Sequence, residues 1–198
     1  TLAGSGTIGG NVTVNTGGIL APGASIGTIN TGNLNLVGSY ACELDLGNPL
    51  AADLVNVTGT VTLAGASSLN ASLINSPASP TGKFIIVLND GTDAVSGTFG
   101  TINGLPAGAT VNYAFTGTDS LGRVGNGNDI AIEFAAPCYA NCDGSTAAPI
   151  LNVNDFVCFN NLFVAGDPAA NCDHSTVPPV LNVNDYSCFM NSYAVGCP

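Results

Sequence analysis

The chain has 198 residues, only 8% of them charged, and its 13 acids face two bases, Lys83 and Arg123. The net charge of -11 argues against nucleic acid and against an anionic membrane surface, since both need Lys and Arg, and it favours cations as partners. Membrane insertion is not expected either, because the longest aliphatic run, "FIIVL" at 84–88, is too short to cross a bilayer.

From the N-terminus the sequence reads as strands and turns. "NVTVN" (11–15), "NLNLVG" (33–38), "DLVNVTGTVTL" (53–63) and "SLNASLIN" (68–75) place apolar residues at or near every second position. "ATVNYAF" (109–115) and "DIAIEF" (129–134) do the same, while "KFIIVLN" (83–89) reads as a strand buried on both faces. Gly, Asn and Pro cluster between these segments. A sandwich, a barrel or a β-solenoid fits many short strands, and the early segments favour the solenoid. "GTIGGNVTVNTGGILAPG" and "ASIGTINTGNLNLVGS" look like short coils with small corners, where Gly and Asn supply positive φ. The opening "TLAGSGTIGG" carries no signal segment, so a leader has been removed or the chain ends a longer protein.

"GSGTIGGNVTVNTGGILAPGASIGTINTGNLNLVGSYACELDL", with "ADLVNVTGTVTLAGASSLN" and "GNGNDIAIEF" later, resembles the C-terminal part of autotransporter-type passenger β-helices. The resemblance covers nearly all of 4–134. It implies a right-handed β-helix ending in an irregular β cap, and no enzymatic activity. Alternation in "SYACELDL" (39–46) puts Tyr40, Cys42, Leu44 and Leu46 on the buried face. Cys42 is expected to be an inert buried thiol, with intermolecular pairing as the alternative. Glu43 and Asp45 share the outer face, where solvated acids are commoner than a glycosidase pair. Sequons stand at Asn11, Asn56 and Asn70.

After Pro137 the grammar changes, which divides the chain into a β domain at 1–135 and a second domain at 136–198. Six of the seven cysteines lie here, a density typical of an oxidised, secreted module. "ANCDGSTAAPILNVNDFVCF" from Ala140 recurs as "ANCDHSTVPPVLNVNDYSCF" from Ala170, with 14 of 20 positions identical. Phe156, Phe159 and Phe163 then follow at helical spacing, as do Tyr186, Phe189 and Tyr193. Each repeat is therefore expected to be a polar loop and a short helix. Asn154 and Asn184 are expected near the N-caps, and Gly166 and Gly196 at left-handed C-termini. Neither aromatic stripe buries itself alone, so the repeats are expected to pack on each other.

The loops alternate oxygen side chains in an EF-hand-like manner. Asn141, Asp143 and Ser145 match calcium-loop positions 1, 3 and 5. The Ile150 carbonyl matches 7, and Asn152 and Asp155 match 9 and 12. The second set is Asn171, Asp173, Ser175, Val180, Asn182 and Asp185. Each loop exceeds the standard twelve residues by three, within "TAAP" (146–149) and "TVPP" (176–179), and each has only two carboxylates. One or two calcium ions are expected, and the alternative is a disulfide-held helical pair with Asn/Asp turns and no metal. His174 is the only histidine, which is too little for a zinc site. Cys142 and Cys158 recur as Cys172 and Cys188, and Cys138 and Cys197 flank the module. One bridge within each repeat plus a terminal clasp is the simplest pairing, and Cys142–Cys188 with Cys158–Cys172 is its rival.

The duplicated loop–helix resembles a dockerin module, and the Cys-rich "CDGST…LNVNDF.CF" with a closing "GC" is similar to the C-terminal dockerin-like domains of secreted planctomycete proteins. The resemblance covers 138–198. It implies anchoring to a cohesin-like or cell-surface partner, with Val153, Asn154 and Asn161 at the partner-reading positions. The function expected is that of a non-catalytic secreted or cell-surface structural or adhesion protein. The alternatives are a self-assembling extracellular fibre, homopolymeric through the solenoid ends, and the C-terminal fragment of a polysaccharide-active β-helix enzyme. Against the enzyme, the first domain has no His, one Lys and one Arg from which to draw a base.

Overall fold

The computed structural model describes residues 1–77, 80–90, 93–134, 138–145 and 148–197. The chain forms two compact units, Thr1–Ala135 and Ala136–Pro198. The residues at that boundary, 135–137, lie outside the described set.

The first unit is β throughout. Its strands are β1 (Leu2–Gly4), β2 (Gly6–Thr7), β3 (Val12–Val14), β4 (Ile19–Pro22), β5 (Thr28–Thr31), β6 (Leu34–Leu36), β7 (Ser39–Asp45) and β8 (Ala51–Ala52). They continue with β9 (Leu54–Val57), β10 (Val61–Leu63), β11 (Ser68–Ile74), β12 (Gly82–Asn89), β13 (Thr101–Asn103), β14 (Thr110–Thr118) and β15 (Val124–Phe134). Three ladders take these strands in rotation. One runs β1-β4-β7-β11-β13, all parallel, with β8 antiparallel on β7. A second runs β2-β5-β9-β12 in parallel and closes with antiparallel β15 and β14. The third is β3-β6-β10.

Register explains the alternation in the sequence. Val12, Leu34 and Val61 stack in one column and Leu20, Tyr40 and Leu69 in another. Ile29, Val55 and Val87 form a third. All nine side chains belong to one core cluster, and burying a large aliphatic side chain stabilises by about 1.5–3 kcal/mol. The Tyr40 hydroxyl crosses that core and donates to the Ile86 carbonyl at 3.0 Å, which satisfies its one polar atom.

Two local expectations are corrected. The corner asparagines do not work through positive φ, because among the described residues only Asn75 and His174 adopt it outside glycine. Asn11 and Asn33 instead accept through Oδ1 from the backbone N–H of Asn33 and Thr60 respectively, in the next segment of the chain, at 2.9 Å each. Positive φ belongs to glycines such as Gly23 (φ 84), where an added Cβ would meet the Ser25 carbonyl at 2.2 Å. "DLVNVTGTVTL" is two strands, β9 and β10, in different ladders, since its alternation passes through a corner.

The second unit holds helices α1 (Val153–Ala165) and α2 (Val183–Val195), with a 3-10 turn at Pro168–Ala170. The N-caps are Asn152 and Asn182, not Asn154 and Asn184, whose backbone N–H groups donate to the capping oxygens at 2.8 Å. An Asx side chain two residues earlier reaches the free N–H, and the third helical residue, Asp155 or Asp185, completes a capping box. Gly166 is left-handed (φ 73, ψ 22), whereas Gly196 combines φ 87 with ψ 173 and leaves the helix extended. The helices meet through Phe159 and Phe189, stacked at 4.2 Å with an 11° interplanar angle. Tyr139 sits edge-on to both rings, and the Tyr186 hydroxyl bonds to the Asn160 side chain.

Candidate functional site

The cysteines fix the frame of the second unit. Cys142 pairs with Cys158, Cys172 with Cys188 and Cys138 with Cys197. Each repeat thus carries its own loop-to-helix bridge, and the terminal pair joins the module's ends. Three disulfides point to an oxidising environment. Cys42 is free and 1% exposed in the core of the first unit, where burial pushes its thiol well up from the usual range. That makes it inert as a nucleophile.

Within this frame each loop folds in on its oxygens. Ser145 Oγ donates to the Ile150 carbonyl at 2.8 Å and lies 3.4 Å from Asn141 Oδ1. In the second loop Ser175 Oγ donates to the Val180 carbonyl at 2.9 Å, and Ser175 N donates to Asn171 Oδ1 at 3.1 Å. Position 5 therefore reaches position 7 directly. In the second loop residues 176–179 lie on the outside, all exposed. In the first loop residues 146 and 147 of "TAAP" lie outside the described set.

The carboxylates come from two segments and meet. Asp155 is fully buried and accepts from Asn152 N at 2.8 Å and Asp143 N at 3.2 Å. Asp185 accepts from Asn182 N at 2.8 Å and Asp173 N at 3.3 Å. The Ser145 backbone N–H holds the Asp143 carboxyl below its usual range, and the Asp155 carboxyl beside it adds to the effect. Asp173 is lowered in the same way by Ser175 and Asp185. Two carboxyl groups thus stand side by side in each repeat, yet residues 136–198 contain five Asp and no Lys or Arg. Among the described residues no three His, Cys, Asp or Glu side chains gather, so each set is two carboxylates plus neutral oxygens.

Comparison with protein-family models, curated proteins and solved structures finds no significant match. What the site does must follow from its own chemistry.

Of the residues expected as ligands, Asn141, Asp143, Ser145, Ile150 and Asp155 come together, as do Asn171, Asp173, Ser175, Val180 and Asp185. Asn152 and Asn182 are occupied as N-caps, and their amides donate to the Pro149 and Pro179 carbonyls. The partner-reading candidates Val153, Asn154 and Asn161 are all exposed, Val153 at 70%. Sequence reading missed Val157 and Val164, also exposed on that helix, although their spacing from Val153 continues its helical row.

The first unit holds a buried acid of its own. Asp53 is 1% exposed and accepts from Gly27 N at 2.8 Å and Glu43 N at 2.9 Å, tying two coils together. Burial raises its carboxyl to about 6 against the pull of those two donors. Glu43 lies beside it and lines the same shallow recess. Asp45 instead accepts from Gly47 N and Asn75 Nδ2.

Proposed function

We propose that this is a non-catalytic, secreted or cell-surface structural protein in which a β-solenoid is tethered through a calcium-stabilised, dockerin-like module. The rotation of strands through three parallel ladders supports the solenoid reading. The calcium reading rests on one observation made twice. A buried helix-start carboxylate stands next to a loop carboxylate, with a serine hydroxyl and a backbone carbonyl at hand and no Lys or Arg in the unit.

Calcium fits that set. It takes six to eight oxygens at 2.3–2.6 Å and accepts neutral ligands. Asn141, Asp143, Ser145, the Ile150 carbonyl and Asp155 would hold one ion, and their counterparts from Asn171 to Asp185 the other. Position 9 commonly acts through water, which suits Asn152 and Asn182 as caps. Bound calcium would draw both carboxylates of a repeat onto one cation and link the fold of the module to the metal. Low charge per site sets a modest affinity. Anchoring to a cohesin-like or surface partner would use the exposed face of α1 around Val153, Asn154 and Asn161.

Calorimetric titration of the whole chain with calcium, EGTA-treated protein serving as the reference, tests the metal reading. Saturable heat from one or two ions with a rise in helical circular dichroism is expected. Absence of both would leave a disulfide-held helical pair without metal.

A further inference from the structure

The two intra-repeat disulfides sit inside the proposed ligand sets rather than beside them. Cys142 lies between Asn141 and Asp143, and its partner Cys158 follows Asp155 by one helical turn. Cys172 lies between Asn171 and Asp173, and Cys188 follows Asp185 by the same turn. The Cα–Cα distance is 5.7 Å in both. Each bridge therefore clamps the two segments whose carboxylates must meet, and the Asp143 N–H···Asp155 and Asp173 N–H···Asp185 bonds span the same junction.

That placement matters because the loops lack other means of rigidity. Among the described residues no α-helix runs directly into either loop: residues 138–140 precede the first, and the 3-10 turn Pro168–Ala170 separates α1 from the second. Each site offers two carboxylates, so electrostatic attraction alone gathers the loop weakly. A ligand set ordered before the ion arrives loses less entropy on binding. Cys138–Cys197 joins the module's ends, and Cys138 meets the first ligand set through its backbone carbonyl, which accepts from Asn141 N at 2.9 Å, rather than through its bridge; this bridge is the internal control.

We infer that Cys142–Cys158 and Cys172–Cys188 are positioning elements of the two cation sites, so that each bridge sets the calcium affinity of its own loop and its reduction releases the ion. The inference rests on the calcium reading above. Reduction converts one bridge to two thiols with two electrons and two protons from a dithiol, which leaves as a disulfide. Calcium occupancy is thereby linked to dithiol reductants as well as to calcium concentration.

The test uses the full chain in four forms: wild type, Cys142→Ser with Cys158→Ser, Cys172→Ser with Cys188→Ser, and Cys138→Ser with Cys197→Ser. Calcium titration gives affinity and stoichiometry. Terbium luminescence lifetimes in light and heavy water count the waters left on the bound ion, which a role confined to holding the fold would not change. Each repeat variant is expected to keep one site and weaken the other by about 10–100-fold, the range for losing a group that orients ligands, with extra water on the weakened ion. The clasp variant is expected to keep both sites within about threefold of wild type, well below that range. A variant that unfolds without calcium still reports its affinity through the calcium midpoint of refolding. Wild-type affinity and hydration in both repeat variants would overturn the inference while leaving the calcium reading intact. Equal weakening of both sites in every variant, the clasp variant included, would overturn it in favour of general stabilisation. No binding by oxidised wild type would overturn the calcium reading and the inference with it.

Discussion

The two units solve the problem of a nearly uncharged sequence differently. Among the described residues the first gathers 22 buried residues into one apolar cluster, so its parallel strands hold each other by stacked columns that include Val, Leu and Ile. Among the described residues the second unit's apolar cluster has four buried members, Ala140, Phe159, Ala170 and Phe189. A module of this size is marginally stable by packing alone, and its covalent bridges add to that stability. Both units are built from repeats. In one, short strands from successive segments stack in register in parallel ladders, and in the other each loop–helix packs on its twin.

The sharpest way to break this comparison is reduction. Excess dithiol in calcium-free buffer is expected to unfold the second unit, since each 16-residue bridge contributes about 3 kcal/mol, while the first unit keeps its strand signal. Denaturant melts with and without reductant, followed by circular dichroism, check it. A common transition that shifts as a whole would mean that the two units do not fold independently.

Core truncation comes next. Phe189→Ala removes the ring stacked on Phe159 and is expected to cost about 3–5 kcal/mol, enough to unfold the second unit. Leu36→Ala is expected to cost about 2–5 kcal/mol, yet the first unit survives with a lower melting midpoint because its remaining columns are intact. Thermal melts of the two variants separate these outcomes.

Acidity distinguishes the first unit. The folded Asp53 carboxyl lies at about 6, above the usual value, so the folded state holds that proton more tightly than the unfolded chain. The stability this gives is fully present below pH ~4 and is lost as pH rises to about 6. Acidification from pH 7 to 5 is therefore expected to raise this acid's contribution to the melting midpoint of the first unit, and Asp53→Asn to remove that part of the response.

Smaller effects belong to the helix caps and the surface. Asn182→Ala deletes an N-cap and is expected to cost about 1 kcal/mol. Lys83→Met breaks the half-exposed pair with Glu133 (3.2 Å) and is expected to change stability by less than about 1 kcal/mol. Chemical melts resolve the first from the second.

Much of the local structure was legible in the sequence. Period two in "NLNLVG" became β6, whose apolar face is buried, "SLNASLIN" became β11, which buries Leu69, and helical spacing in Phe156, Phe159 and Phe163 became α1. The N-caps were misplaced by two residues, since the sequence "NVND" offers two asparagines and only the geometry of the first turn chooses between them. Asn11 and Asn33 act between segments more than 20 residues apart in sequence, which no local pattern encodes.

By itself the sequence determined the division into a β unit and a duplicated loop–helix unit, the residue types around each loop and the pairing options of six cysteines. Periodicity, composition and repetition are properties of the chain alone. Only the tertiary structure decided that Ser145 and Ser175 bond directly to the carbonyls of Ile150 and Val180, that Asp143 meets Asp155 and Asp173 meets Asp185, and that Asp53 is buried between coils. Those contacts depend on how segments far apart in the chain come to lie side by side, and that is set by packing and by the bridges rather than by neighbours in sequence.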